Sequence, residues 1–255
     1  FESLGFVYNP DVGVGYVFIA NLAASAITFL LFLPQIVKLD FGIDKVLWKK
    51  LMTYGSPLII VGLAGMVNET IDRVLLKYLL PGTHEENLAQ LGIYGACYKL
   101  SIFMTIVIQA FRMGAEPFFF NTAKTKNAKY TYAKIMKFFV IAGCLIFLTV
   151  TLYIDVAKIM IGKNYHSGLH IVPILLMANL FLGIFYNLSV WYKLKDKTIF
   201  ATYIAVGGAA LTLFLNFWWI PIIGFEGAAW ATLVCYVAMT IASFVIGRTH
   251  YPIPY

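Results

Sequence analysis

Four residues able to do chemistry lie inside one apolar stretch. Asn68, Glu69, Asp72 and Arg73 interrupt residues 58–80, LIIVGLAGMVNETIDRVLLKYLL. A helix of about 20 residues crosses a hydrocarbon core about 30 Å thick, so this stretch is long enough to span it. A charge near the centre of such a helix costs about 2.5–3.5 kcal/mol on an insertion scale. The three charges therefore require partners or water. Glu69 precedes Arg73 by four residues, the favourable order for an intrahelical ion pair. A further cation, Lys99, falls in the next apolar stretch, residues 92–120. Arg73 and Lys99 each lie about seven residues from the outer ends of their helices, about 10 Å deep at the helical rise. Arg112 and Glu116, one turn apart near the other end of the same stretch, read as an interfacial i,i+4 pair.

Three uses of these residues stay open at this level. Glu69 and Asp72 could neutralise Arg73 and Lys99 in a structural network pinning two helices. Arg73 and Lys99 could line a wet cavity and attract an anion. The acids could bind a coupling ion, H+ or Na+. Intramembrane charges are functional candidates in each case. Gly62 and Gly65 share roughly the same helix face and would admit a close neighbour.

The surrounding sequence supplies a membrane frame. The chain has 255 residues, 61% hydrophobic and 12% charged, against about 25% charged in soluble domains. It reads as a polytopic membrane protein of all-α class with about seven spans. These fall at 12–37, 58–80, 92–120, 135–154, 169–192, 198–220 and 226–247. Ser56 and Pro57 read as N-cap and first position of the second span. Ile43, Val46, Leu47 and Leu51 suggest a short interfacial helix before it. The division expected is residues 1–55, the first span and an interfacial linker, and 56–255, a six-helix bundle. The stretch 81–91, with His84, Glu85 and Glu86, reads as a polar loop. Trp191 and Tyr192 read as an aromatic belt beside Lys193.

The net charge of +7 does not imply nucleic acid. Thirteen of the 19 lysines and arginines fall in alternate segments, around residues 38–50, 124–137, 193–197 and 248. The positive-inside rule places those segments in the cytoplasm, with Phe1 outside and Tyr255 inside. Cys97, Cys144 and Cys235 lie in apolar runs without ligand spacing and read as buried thiols. No nucleotide-binding loop, metal motif or nucleophile elbow is present, so neither an enzyme nor a cofactor is expected.

Residues 68–73 (NETIDR), 91–96 (LGIYGA), 116–120 (EPFFF), 186–193 (YNLSVWYK) and 224–232 (GFEGAAWAT) together resemble the multidrug/oligosaccharidyl-lipid/polysaccharide (MOP) exporter superfamily. The resemblance is to its oligosaccharide flippases, and it covers nearly the whole chain. It implies a fold of two six-helix bundles around a central cavity. This chain then corresponds to the sixth helix plus the second bundle, as a fragment whose partner is the missing N-terminal bundle. The implied function is translocation of polyprenyl-diphosphate-linked oligosaccharide across the bacterial inner membrane, for polysaccharide biosynthesis. Arg73 and Lys99 match the family's cationic cavity residues, with Glu69, Asp72, Asn68 and Arg112 as further cavity candidates. The lipid-linked glycan and membrane lipids are the implied partners. The alternatives are a cation-coupled drug antiporter of the same superfamily, using Glu69 or Asp72, and a membrane enzyme acting on lipid-linked sugars.

Overall fold

The computed structural model describes residues 12–13, 15–38, 42, 44–195 and 197–255. Among the described residues there are ten α-helices and no strand. The chain divides into two compact units, Phe1–Leu51 and Met52–Tyr255. The first unit contains α1 (Gly15–Ile36), an apolar helix with Pro34 in its last turn. It also contains the first turns of α2 (Lys45–Leu79).

α2 corrects the expected boundary at Ser56. The helix starts at Lys45, eleven residues earlier, and the backbone from there runs on into the expected span. Asp44 supplies the cap: its Oδ1 accepts the backbone N–H groups of Val46 at 2.8 Å and Leu47 at 3.2 Å. That satisfies two of the four orphan donors of a helix start. The backbone stays helical through Ser56 and Pro57. A proline removes only one backbone donor, and an apolar setting keeps the remaining helical bonds closed.

The second unit is a helix bundle. α3 (His84–Leu100) also starts earlier than expected, because Thr83 and Glu86 form a reciprocal capping box. The Thr83 N–H donates to Glu86 Oε2 at 2.8 Å. Asn87 donates from Nδ2 to the Leu80 carbonyl at 2.9 Å and so closes the end of α2. His84, Glu85 and Glu86 are therefore helical first-turn residues, acidic where the helix dipole favours acid. The expected span at 92–120 is two helices. Ser101 separates α3 from α4 (Ile102–Thr122), its hydroxyl bonding back to the Tyr98 carbonyl at 2.7 Å. α4 runs through Pro117 instead of ending there.

Next come α5 (Ala128–Leu152) and the short α6 (Ile154–Ala157). A 3-10 stretch, Lys163–Ile171, leads into α7 (Val172–Leu188), which has Pro173 in its first turn. α8 (Val190–Leu194), α9 (Thr198–Ile223) and α10 (Phe225–His250) complete the chain. Gly224 joins the last two at φ +66°, a left-handed conformation that a side chain would strain.

α10 packs against both α7 and α9, and α7 against α5. The principal core joins Leu76, Tyr94, Leu175, Leu176, Ile220 and Ala229. Backbones approach closely at small residues, the packing favoured inside membranes. At Gly208 a Cβ would lie 2.5 Å from Met239 Sδ. Gly62 and Gly65 do not serve this way, since no atom lies within 4 Å of a Cβ placed on either. Cys97 and Cys235 are buried, but Cys144 is exposed.

Among the described residues six helical stretches are long and apolar enough to cross a membrane: Gly15–Ile36, Ile102–Thr122, Ala128–Leu152, Lys163–Leu194, Thr198–Ile223 and Phe225–His250. The chain is an all-α, multi-pass membrane protein. Of the expected span 58–80, residues 58–79 are helical, but the helix is not among the six. Two of the lysine-bearing segments, 124–137 and 193–197, meet at Tyr251. Lys129 and Lys195 lie over its ring at 4.8 and 5.5 Å, and Lys193 pairs with Glu116. Trp191 and Tyr192 are not a lipid belt: they are 2% and 0% exposed. The Tyr192 and Ser243 hydroxyls share a hydrogen bond of 2.6 Å, which a buried phenol requires.

Candidate functional site: a charged cleft on α2, α3 and α4

Polar residues of α2 divide between two adjacent faces. Asn68 and Asp72 are four residues apart, as are Glu69 and Arg73, so each pair shares a face. The first pair enters the bundle. Asn68 is 4% exposed, and its Oδ1 accepts the Thr212 hydroxyl at 3.0 Å. Its backbone carbonyl accepts the Tyr236 hydroxyl at 3.4 Å. These contacts tie α2 to α9 and α10. Gly208 leaves room for them, since a Cβ there would come 3.2 Å from Asn68 Nδ2. Asp72 is 2% exposed. Its Oδ1 accepts the Arg73 backbone N–H at 2.7 Å, and its Oδ2 accepts the Tyr94 hydroxyl. Hydrogen bonds to both oxygens compensate the burial of this carboxyl group.

The second pair borders a cleft of roughly 660 Å³, lined by Glu69, Arg73, Tyr98, Lys99, Thr105 and Tyr165 among others. Glu69 and Lys99 are exposed and Arg73 is half-buried. The Arg73 guanidinium lies 4.2 Å from the centre of the Tyr98 ring. This cation–π contact holds the planar group by its face and leaves its N–H edge for an acceptor. The expected Glu69–Arg73 ion pair does not form. No carboxylate lies within 4 Å of Arg73, Lys99 or Arg112 among the described residues.

Arg112 is not in this lining. Its guanidinium sits 4.1 Å over the Tyr186 ring of α7. The expected Arg112–Glu116 pair is replaced by two others, because Tyr186 holds the arginine and Lys193 of α8 holds Glu116. Of the six residues singled out by sequence, Glu69, Arg73 and Lys99 therefore meet in one cleft. Asn68 and Asp72 face the core, and Arg112 stands apart on its own tyrosine. Tyr98 and Tyr186 were missed as platforms. Tyr98 carried a signal, being one turn after Tyr94 and directly before Lys99.

Two cations and one carboxylate leave the cleft net positive. Such a site, bordered by aromatic rings and a threonine hydroxyl, suits an anion with hydroxyl-bearing attachments. No curated protein and no solved structure matches the chain. Residues 3–123 match the family model of polysaccharide biosynthesis proteins. The match spans α1 to α4 and so includes every charged residue of the cleft. Over residues 3–123 the chain is thus similar to the polysaccharide biosynthesis proteins, and its apolar helices make it a multi-pass membrane protein.

Proposed function

We propose that the protein is a flippase that carries polyprenyl-diphosphate-linked oligosaccharide across the bacterial inner membrane, with its lysine-rich end in the cytoplasm. The observation that carries this reading is the pairing state of the cleft. Arg73 and Lys99 line it together, and among the described residues no carboxylate lies within 4 Å of either one. A phosphate about 4 Å from such a cation gains about 4 kcal/mol at an effective dielectric of 20. That offsets part of the hydration a diphosphate loses on leaving water. The antiporter alternative has less support. Asp72 already accepts two hydrogen bonds, and Glu69 is outnumbered by cations in the cleft. On the flippase reading the protein alters no covalent bond of its substrate.

The test is export of surface glycan by the whole protein carrying Arg73→Ala or Lys99→Ala. Export should fall about tenfold for each, the worth of a charge-assisted hydrogen bond, while membrane insertion stays intact. Wild-type export by both variants would remove these residues from the mechanism. Liposomes holding labelled lipid-linked sugar separate the chemical classes: the label should change leaflet without changing mass, and glycosyl transfer would contradict the reading.

A further inference from the structure

The end of α10 carries a second pattern, unrelated to the cleft. Ile241, Phe244 and Val245 are exposed apolar side chains at spacings of three and four. Arg248, three residues on, continues the same face in the last turn. An apolar stripe closed by a cation matches an acyl chain followed by an anionic headgroup. Beside Arg248 lies a cavity of about 470 Å³, walled by Trp191, Ser243, Gly247, Arg248, Tyr251 and Pro254 among others. It shares no residue with the cleft on α2.

Two donors in this wall have no acceptor among the described residues. Arg248 is exposed and pairs with no carboxylate. Trp191 is 2% exposed, and its indole N–H has no hydrogen-bond partner. A buried donor left unpaired is costly and calls for an explanation. The ring is held in place by stacking on His250, at 5.7 Å and 12°. Its Nε1 lies against Gly247, where a Cβ would come within 2.9 Å. The Ser243 hydroxyl is already bonded to Tyr192. Lys129 and Lys195, over the ring of Tyr251, add positive potential at the rim. The carbonyl end of α10 repels anions, so the arginine and the indole must provide the attraction.

We propose that this cavity holds the phosphate of an anionic phospholipid, with the acyl chains lying along Ile241, Phe244 and Val245. Arg248 and the indole N–H of Trp191 are the two donors to the phosphate. The continuous apolar stripe favours a lipid over a free phosphate. This inference does not depend on what the cleft carries.

The experiment is native mass spectrometry of the purified full chain offered phosphatidylglycerol or phosphatidylcholine at equal concentration. The wild type should retain phosphatidylglycerol about tenfold better. Arg248→Gln should bring that preference close to one, and Arg248→Lys should keep part of it. Trp191→Phe removes the N–H and keeps a ring; it should weaken the preference while the melting temperature without lipid is held. If Trp191→Phe does not fold, the two Arg248 variants decide, because that side chain is exposed. Equal retention of both lipids by the wild type, or an unchanged preference in Arg248→Gln, overturns the proposal. Displacement of the lipid by soluble glycerol phosphate at the same concentration also overturns it, in favour of a free phosphate ester.

Discussion

Asp72 and Glu69 lie three residues apart on one helix and have opposite surroundings. Asp72 is closed in by Tyr94 and the Arg73 backbone N–H, and no solvent path is needed to stabilise it. Glu69 is exposed beside two cations it does not pair with. The same contrast separates Asn68, held by Thr212 and Tyr236, from Arg73, held by the face of Tyr98. Polar residues in an apolar helix thus serve two purposes here. One face replaces helix packing by hydrogen bonds, and the other keeps charge available.

Breaking the open face should have the largest effect on transport. Arg73→Ala with Lys99→Ala removes both cations, and the losses should combine to about a hundredfold in export if they add. Folding should be little affected, because neither side chain completes an ion pair. Breaking the sealed face should reverse the outcome. Asp72→Ala leaves the buried Tyr94 hydroxyl without its acceptor, costing about 1–3 kcal/mol of stability. The melting temperature should drop, and export per folded molecule should remain near that of the wild type. Equal effects of the two variants on both measurements would erase the distinction between the faces.

A smaller effect tests the platform. Tyr98→Leu removes a cation–π contact worth about 0.5–2 kcal/mol and should lower export several-fold, whereas Tyr98→Phe keeps the ring and most of the activity. The smallest effect concerns the α3 cap. Glu86 has its carboxyl pKa lowered by the backbone N–H and the hydroxyl of Thr83. A lowered folded value gives stability that is present above the unfolded pKa and lost as pH falls through the folded one. Melting temperature should therefore decline on acidification below about pH 4.5, and Glu86→Gln should flatten this component of the slope. Thr83→Ala should cost about 1 kcal/mol near neutral pH by removing the cap.

The sequence made the frame and the charges readable, but not their pairing. Apolar runs of span length are visible because a membrane helix needs no periodic polar face. Glu69, Arg73 and Lys99 stand out for the opposite reason, as costly groups in such a run. Which face each occupies is a tertiary property: Tyr94 selects Asp72 and Tyr98 selects Arg73, from one helix. Boundaries failed where two readings shared one residue type. Pro57 suits a helix start as well as a membrane helix interior, and the Asp44 cap decided for the latter. Thr83-x-x-Glu86 was a legible capping signature hidden in a stretch polar enough to pass for a loop. Trp191 and Tyr192 suit a belt or a core equally, and Ser243, Gly247 and His250, over fifty residues away, place them in the core. Arg112 and Glu116 had ideal helical spacing, yet partners on α7 and α8 took both.

The claim that the α2–α3 cleft is open to an anion has a direct measurement. Ala96 lines the cleft, whereas Ala229 is fully buried in the core. With the exposed Cys144 replaced by serine, Ala96→Cys should react with a membrane-impermeant maleimide and Ala229→Cys should not. A short-chain prenyl diphosphate should protect the cysteine at position 96, and that protection should vanish when Arg73→Ala and Lys99→Ala are added. Protection that persists without the two cations would contradict the account.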